Sequence, residues 1–556
     1  MSLNWNPRPL LALAALTLIA YLPAYGAGFV WDDDYYVLEN TTLQSLQGLK
    51  RIWLDLFATP QYYPLVHTSF WLEYRLAGPS AHLYHFTNVA LHAANAVLLW
   101  RIMLHLAIPG AWLIAAVFAV HPVQVESVAW ITERKNLLSG FFYLWSALLY
   151  LRFSRQADEK TPPWRTYAAS FLLYAAALLS KSVTASLPAA LLLICWYRRG
   201  TILRRDWATL LPMLLVGIVS GLLTVWLERE HVLARGPEWD LSLPERFLIA
   251  GRALWFYAST LVWPQDLAFI YPRWRIDTGA WWQYQFPLAA MAVVGALIAL
   301  GGRVGRGPLT AVLFFAGTLF PALGFFNFYP MRYSFVANHF QYLACIGLIA
   351  LAVAVVVRRW QRAQWRKPVG AVAAGTVLAT LMIVSWWNAL AYVDLESLWR
   401  DTLEKNPQAW MAHHNLGMEL DRQGRYEEAR QHYQAAVKLR PSHYRAHHKL
   451  GRSLAREGRL DEAIAHFQTA IRLSPDDRQF YSSLGDAYLR RGDFEQAEAA
   501  FRRVLEPPFV HPATQVKLAR ALIGQRRFEE ARRTLDEILR NDPGNPQATL
   551  LLMEMR

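Results

Sequence analysis

The sequence predicts an all-α protein in two parts: a polytopic transmembrane helical bundle of about eleven spans, then an α-solenoid of paired helices. Three observations carry this. Long apolar runs fill the first two thirds of the chain, separated by short loops bearing Arg and Lys. Of 556 residues, 54% are hydrophobic and 14% aromatic, with 24 Trp, which suits a bilayer and its interfaces better than a soluble enzyme. From Trp410 onward the apolar runs give way to a 34-residue period.

A helix needs about 20 mostly apolar residues to cross the hydrocarbon core. Spans are predicted over 9–27, 85–106, 109–128, 137–153, 166–180, 183–198, 208–227, 285–301, 309–326, 339–357 and 369–391. Segment 247–264 is also apolar, and charge decides how to read it. The basic loops Arg152–Arg165, Arg198–Arg205, Arg303–Arg306 and Arg358–Lys367 share the cytoplasmic side only if 247–264 is interfacial or re-entrant. The count is then eleven, with a cytoplasmic N-terminus. Asp32–Asp34, segment 228–284, the Phe326–Asn338 loop and the whole C-terminal region fall outside the cytoplasm. The first run lacks a small-residue cleavage site and reads as a retained span. Much of the basic excess, a net +14, lies in the loops, so the expected partner is membrane lipid and not nucleic acid. Cys195 and Cys345 both lie in apolar runs, which leaves no disulfide framework and no cysteine metal site.

After residues 1–393, segment 394–409 reads as a joining helix, 410–545 as four repeats and 546–556 as a tail. Gly417, Gly451, Gly485 and Ala519 recur at 34 residues, each followed twelve later by Ala429, Ala463, Ala497 and Ala531. Pro441, Pro475 and Pro543 close three repeats, whereas Pro507-Pro508 distorts the third. Small residues let paired helices approach, and Tyr433, Phe467, Phe501 and Leu535 fill the space between them. This is the tetratricopeptide (TPR) pattern, whose arrays bind proteins in a concave groove.

The chemistry-bearing residues fall in the outward loops. Asp32-Asp33-Asp34 sit where the first span ends, and charges placed there face water, a base, a metal or a substrate. The adjacent pair Asp32 and Asp33 offers oxygen ligands suited to Mg²⁺ or Mn²⁺, although two Asp can also act without a metal. His121-Pro122-Val123-Gln124-Val125-Glu126 follows, running on to Glu133-Arg134-Lys135-Asn136. Glu126 can serve as base, ligand or partner of Arg134, and the bland reading is an interfacial salt bridge. His85, Asn88, His92 and Asn95 share one helix stripe, whose commoner use is hydrogen bonding between helices. Arg332 and His339 can pair a phosphate at the surface, against an ordinary aromatic belt with snorkelling cations. Lys181, Arg273 and Arg275 are further phosphate candidates. There is no Walker loop, Rossmann fingerprint or nucleophile elbow. These parts suit sugar transfer from an isoprenoid phosphate, with a carboxylate to take a hydroxyl proton and cations to hold the departing phosphate.

The blocks Phe29-Val30-Trp31-Asp32-Asp33-Asp34 with Asn40, Tyr63-Pro64-Leu65, His85 with Asn88 and His92, and Phe118-Ala119-Val120-His121-Pro122-Val123 with Glu126, Val128-Ala129 and Arg134 carry a family likeness. Through them the N-terminal two thirds resembles the transmembrane and TPR repeat-containing O-mannosyltransferases, within the GT-C class of polytopic glycosyltransferases. The likeness is clear to about Leu151 and weaker to about residue 340, and it departs at Asn338–Tyr342. The resemblance implies an inverting transferase with a polyprenyl-phosphate sugar donor, a protein acceptor held by the TPR groove, and mannose as the sugar. It places the catalytic acids among Asp32, Asp33 and Asp34, with Glu126, and leaves open which Asp is the base. Arg134, Lys135, His121, His85, Arg332 and His339 would be the substrate- and phosphate-binding set. The compact architecture implies a bacterial inner membrane with a periplasmic TPR array. Two other readings compete: a membrane-anchored TPR scaffold without activity, against which eleven spans count, and a flippase, which would need charges near mid-bilayer.

Overall fold

The computed structural model describes residues 7–156, 163–363, 367–507, 509 and 511–555. It divides into two compact units, 1–406 and 407–556. The described elements are helices of α, 3₁₀ and π type, with no strand among them. Pro508 and parts of two predicted basic loops, 157–162 and 364–366, lie outside the described residues.

In the first unit, Ile131–Gln156, Arg204–Glu230, Trp281–Ala299 and Pro368–Leu390 are long and apolar enough to cross a membrane. A fifth span results if Ala111–Val120 and Pro122–Ala129, bent by 55° at His121, count as one. The sequence count of eleven exceeds this because several runs are broken or short. The first helix, Arg8–Ala20, stops before Pro23, which lacks the N–H that would continue it. The predicted 183–198 span opens as a 3₁₀ turn, Ser182–Ser186, before a 13-residue helix, Leu187–Arg199. Segment 247–264, expected as interfacial or re-entrant, is one uninterrupted helix, Leu243–Val262. Its proline sits harmlessly in the first turn, and a Ser242–Glu245 capping box starts it.

Helix Leu395–Lys405, expected to join the two parts, packs into the first unit. Trp399 is buried with its ring centre 5.0 Å from that of Trp31, and Lys405 Nζ donates to the Leu267 carbonyl at 2.9 Å.

The second unit stacks four helix pairs. Built on Gly417, Gly451 or Gly485, a Cβ would stand 2.7, 2.7 or 2.5 Å from the ring of Tyr433, Phe467 or Phe501. Glycine is therefore what lets each pair close. The second helix of the third repeat, Phe494–Val504, has 11 residues where the other three have 14. Segment 546–556, expected as a tail, forms helix Pro546–Glu554, which buries Ala548 and Leu551 and covers the last pair.

Candidate active site

The acidic loop is built around a turn at Trp31. This residue takes the left-handed conformation, φ 54°, and its ring is gripped edge-on by Phe269, Tyr333 and Trp399. Such strain persists only where packing over-determines it. The turn separates the three acids. Asp33 is fully buried and both its oxygens are committed. Oδ1 accepts from the Thr132 N–H at 2.8 Å and the Thr132 hydroxyl at 2.5 Å, and Oδ2 accepts from the Val30 N–H at 2.9 Å. Burial and the neighbouring Asp32 push its carboxyl up to about 8, against those hydrogen bonds. Asp33 thus ties its own loop to the segment around Thr132. Asp32 differs: its Oδ1 is buried with no hydrogen-bond partner. Burial raises its carboxyl to about 6, and Lys135 opposes the rise. Asp34 begins the turn Asp34–Leu38.

Beside this loop two ammonium groups converge on one carboxylate. Lys135 Nζ lies 2.9 Å from Glu133 Oε1, and Lys181 Nζ lies 3.4 Å from Glu133 Oε2. Burial strengthens the pull of both ammonium groups on an anion. Lys135 also faces the rings of Tyr36 and Trp130, both at 5.6 Å. Asn136 holds the group together, accepting from Lys181 at 2.7 Å and donating to Glu133 at 2.6 Å and to the His339 carbonyl at 2.9 Å. His339 Nδ1 is 2.8 Å from Glu126 Oε1. Glu126, His339, Lys135 and Lys181 are thus brought together from positions far apart in the chain.

A cavity of about 490 Å³ opens from this group. Lys135, Lys181, His339, Tyr63 and Glu228 form its polar end, while Leu214, Ile218, Leu222, Val225 and Phe320–Ala322 make long apolar walls. Gly221 leaves its flank open, since a Cβ there would meet nothing within 4 Å. Glu228 accepts from Gln61 at 2.8 Å and from the Tyr329 N–H at 3.2 Å, which joins the first loop to the Phe326–Asn338 loop. Gln61 and Glu228 escaped the sequence reading. The one available signal was an acid at the outer end of an apolar run.

Other expected site residues lie elsewhere. Arg134, expected at the donor phosphate, does not line the cavity. It is fully buried, donates to Asn88, to Ser69 at 3.2 Å and to the Tyr84 carbonyl at 2.8 Å, and pairs with Glu73 at 3.0 Å. Arg134→Ala would strand Glu73, and a loss of about 3–5 kcal/mol is expected, read as a fall in thermal midpoint in detergent. His85 contacts the Gly28 carbonyl at 3.2 Å, and His92 and Asn95 both bond the Tyr342 hydroxyl at 2.8 Å. That stripe is interhelical hydrogen bonding. His121 meets the Leu261 carbonyl at 3.0 Å and receives the Val123 N–H, so it caps the bend. Arg332 pairs with Glu238 at 3.3 Å, and Arg273 donates to the Glu238 carbonyl at 2.8 Å. Both Asp33 oxygens already accept hydrogen bonds, and among the described residues no three His, Cys, Asp or Glu groups converge to hold a divalent ion.

Tetratricopeptide-repeat family models match residues 396–444, 414–478 and 448–508, and another matches 488–552. Among curated proteins, the chain is 33% identical over 193 residues to "Protein O-mannosyl-transferase Tmtc2" of Drosophila melanogaster, covering 32% of this chain and 20% of that one. The chain carries tetratricopeptide repeats in its C-terminal part and is similar to protein O-mannosyl-transferases. It is 29% identical over 188 residues to "Protein O-mannosyl-transferase TMTC3" of Homo sapiens, covering 32% of this chain and 20% of that one. The match to each thus spans about a fifth of the relative's length. Among solved structures, YrrB, "a TPR protein with an unusual peptide-binding site", has 19% identity and a TM-score of 0.27, over 28% of this chain and 81% of that one.

Proposed function

We propose that this TPR protein is an integral-membrane glycosyltransferase that moves a sugar, mannose by analogy with its relatives, from a polyprenyl-phosphate donor to Ser or Thr of a protein. The reaction takes place on the extracytoplasmic face of a bacterial inner membrane, and the TPR array holds the acceptor. The observation that carries this reading is the apolar cavity ending at Lys135 and Lys181, of which Lys135 also acts on the Asp32 carboxylate, whose buried Oδ1 has no hydrogen-bond partner. The isoprenoid tail lies along the apolar wall of Arg204–Glu230, and the phosphate sits against the two ammonium groups. Asp32 takes the proton of the acceptor hydroxyl as its oxygen attacks the anomeric carbon. The bond from that carbon to the phosphate oxygen breaks, the configuration inverts, and the polyprenyl phosphate leaves with its charge held by Lys135 and Lys181. Asp33, Glu126 and Arg134 position the loops and touch no reacting atom.

Photo-crosslinking with a polyprenyl-phosphate analogue tests the donor site. Labelling is expected on the 214–225 face, to be competed by polyprenyl phosphate, and to be lost in Gly221→Trp, which fills the open flank. Labelling that is unchanged in that variant would remove the cavity as the donor site.

A further inference from the structure

Several cations on the second helices and turns of the TPR array pair with carboxylates. Arg425 pairs with Glu428, Arg430 with Glu457, Arg459 with Glu462, Arg491 with Asp461 and Arg527 with Glu498. On the first helix of the second repeat, Tyr444–Arg456, Arg456 pairs with Asp421 at 2.8 Å, and three other cations differ. Arg445, Lys449 and Arg452 are spaced by four and three and share one face. None of the three makes a salt bridge among the described residues. Arg445 and Arg452 are exposed and Lys449 is half-buried. Burial, with Arg452 beside it, lowers the Lys449 ammonium from its ordinary value, against the pull of Asp421. Like charges on one helix face repel, so a further anion there is favourable.

The neighbouring first helices add polar groups in register. Asn415, Lys449 and Ser483 occupy the same place in three successive repeats, 34 residues apart. Asn415 Nδ2 is buried with no hydrogen-bond partner. His448 Nε2 meets Ser483 Oγ at 2.8 Å, which fixes the second and third of these helices side by side. An amide donor, three cations and a hydroxyl therefore run across consecutive repeats, along the direction in which such arrays bind extended chains.

We propose that this face binds an acidic segment of a partner polypeptide, its carboxylates pairing with Arg445, Lys449 and Arg452 and its backbone or side-chain oxygens accepting from Asn415. This deepens the acceptor-holding role proposed above by naming the chemistry recognised. Its test reads binding alone, so a failed transfer assay and a failed binding assay are distinguishable.

The test uses the full-length protein in zwitterionic nanodiscs and a fluorescein-labelled peptide alternating Glu and Ser, followed by anisotropy. Lys449→Gln with Arg452→Gln is expected to weaken binding about tenfold or more, equivalent to about 1.4 kcal/mol. The Gln-for-Glu peptide should weaken by a similar factor. Lys438→Gln with Arg472→Gln removes equal charge from the second helices and should leave binding unchanged. Circular dichroism checks the fold, and the exposed single change Arg452→Gln gives the same reading if the double variant unfolds. Equal binding of the Gln peptide, an equal loss in the control variant, or tighter binding of a single-stranded oligonucleotide would overturn the proposal.

Discussion

Asp32→Asn is expected to lower kcat/KM for sugar transfer by about 10²–10⁴-fold, while leaving insertion and thermal midpoint close to wild type. Of the adjacent pair at the loop start, Asp33 spends its oxygens on Thr132 and Val30, whereas Asp32 keeps Oδ1 free in a buried place. A base needs an oxygen that can accept. Asp33→Asn has a different expected signature. Its amide would face the Val30 N–H donor to donor, so a stability loss of about 1–3 kcal/mol should accompany any loss of rate. Only the ionised form of Asp32 can take a proton, and burial holds its carboxyl at about 6. In wild type, kcat/KM should therefore rise as pH increases through about 6.

Lys181→Met is expected to raise KM for the lipid donor and to lower kcat/KM by about 10²-fold or more, because a charge-assisted contact to phosphate is lost. Lys181 approaches Glu133 at 3.4 Å and lines the cavity, while the closer Lys135 ion pair keeps the local fold in place. Burial lowers its ammonium to about 8, with Glu133 opposing and Lys135 assisting. The charged form is the one that binds phosphate, so kcat/KM should fall as pH rises through about 8. With the Asp32 limb, the profile is a bell. Lys181→Arg should move the descending limb upward, since a guanidinium stays charged.

What the sequence made legible is what lies close together along the chain. The 34-residue spacing of Gly417, Gly451 and Gly485 announced helix pairs whose close approach the Tyr433, Phe467 and Phe501 rings confirm. Asp32 and Asp33 could be singled out, yet their division of labour could not, because it depends on a turn at Trp31 that rings from residues 269, 333 and 399 impose. Arg134 and Lys135 are neighbours at a helix start, where successive side chains point about 100° apart. One enters the Glu73 network and the other the cavity, and no local pattern says which. Glu228 and Gln61 meet across 167 positions, a pairing only the tertiary fold creates. The helix breaks were hidden for a related reason: hydropathy marks apolar runs, while Pro23 and the bend at His121 decide whether a run stays one helix.

Asp32 is proposed as the base of a transferase fed by a lipid phosphate. The most direct measurement is transfer of labelled mannose from polyprenyl-phosphate mannose to an acidic, Ser/Thr-bearing protein acceptor. It compares purified wild type with Asp32→Asn, each with and without EDTA. The account predicts transfer by wild type that is indifferent to EDTA and lost in the variant. Donor turnover that survives intact in Asp32→Asn would contradict it.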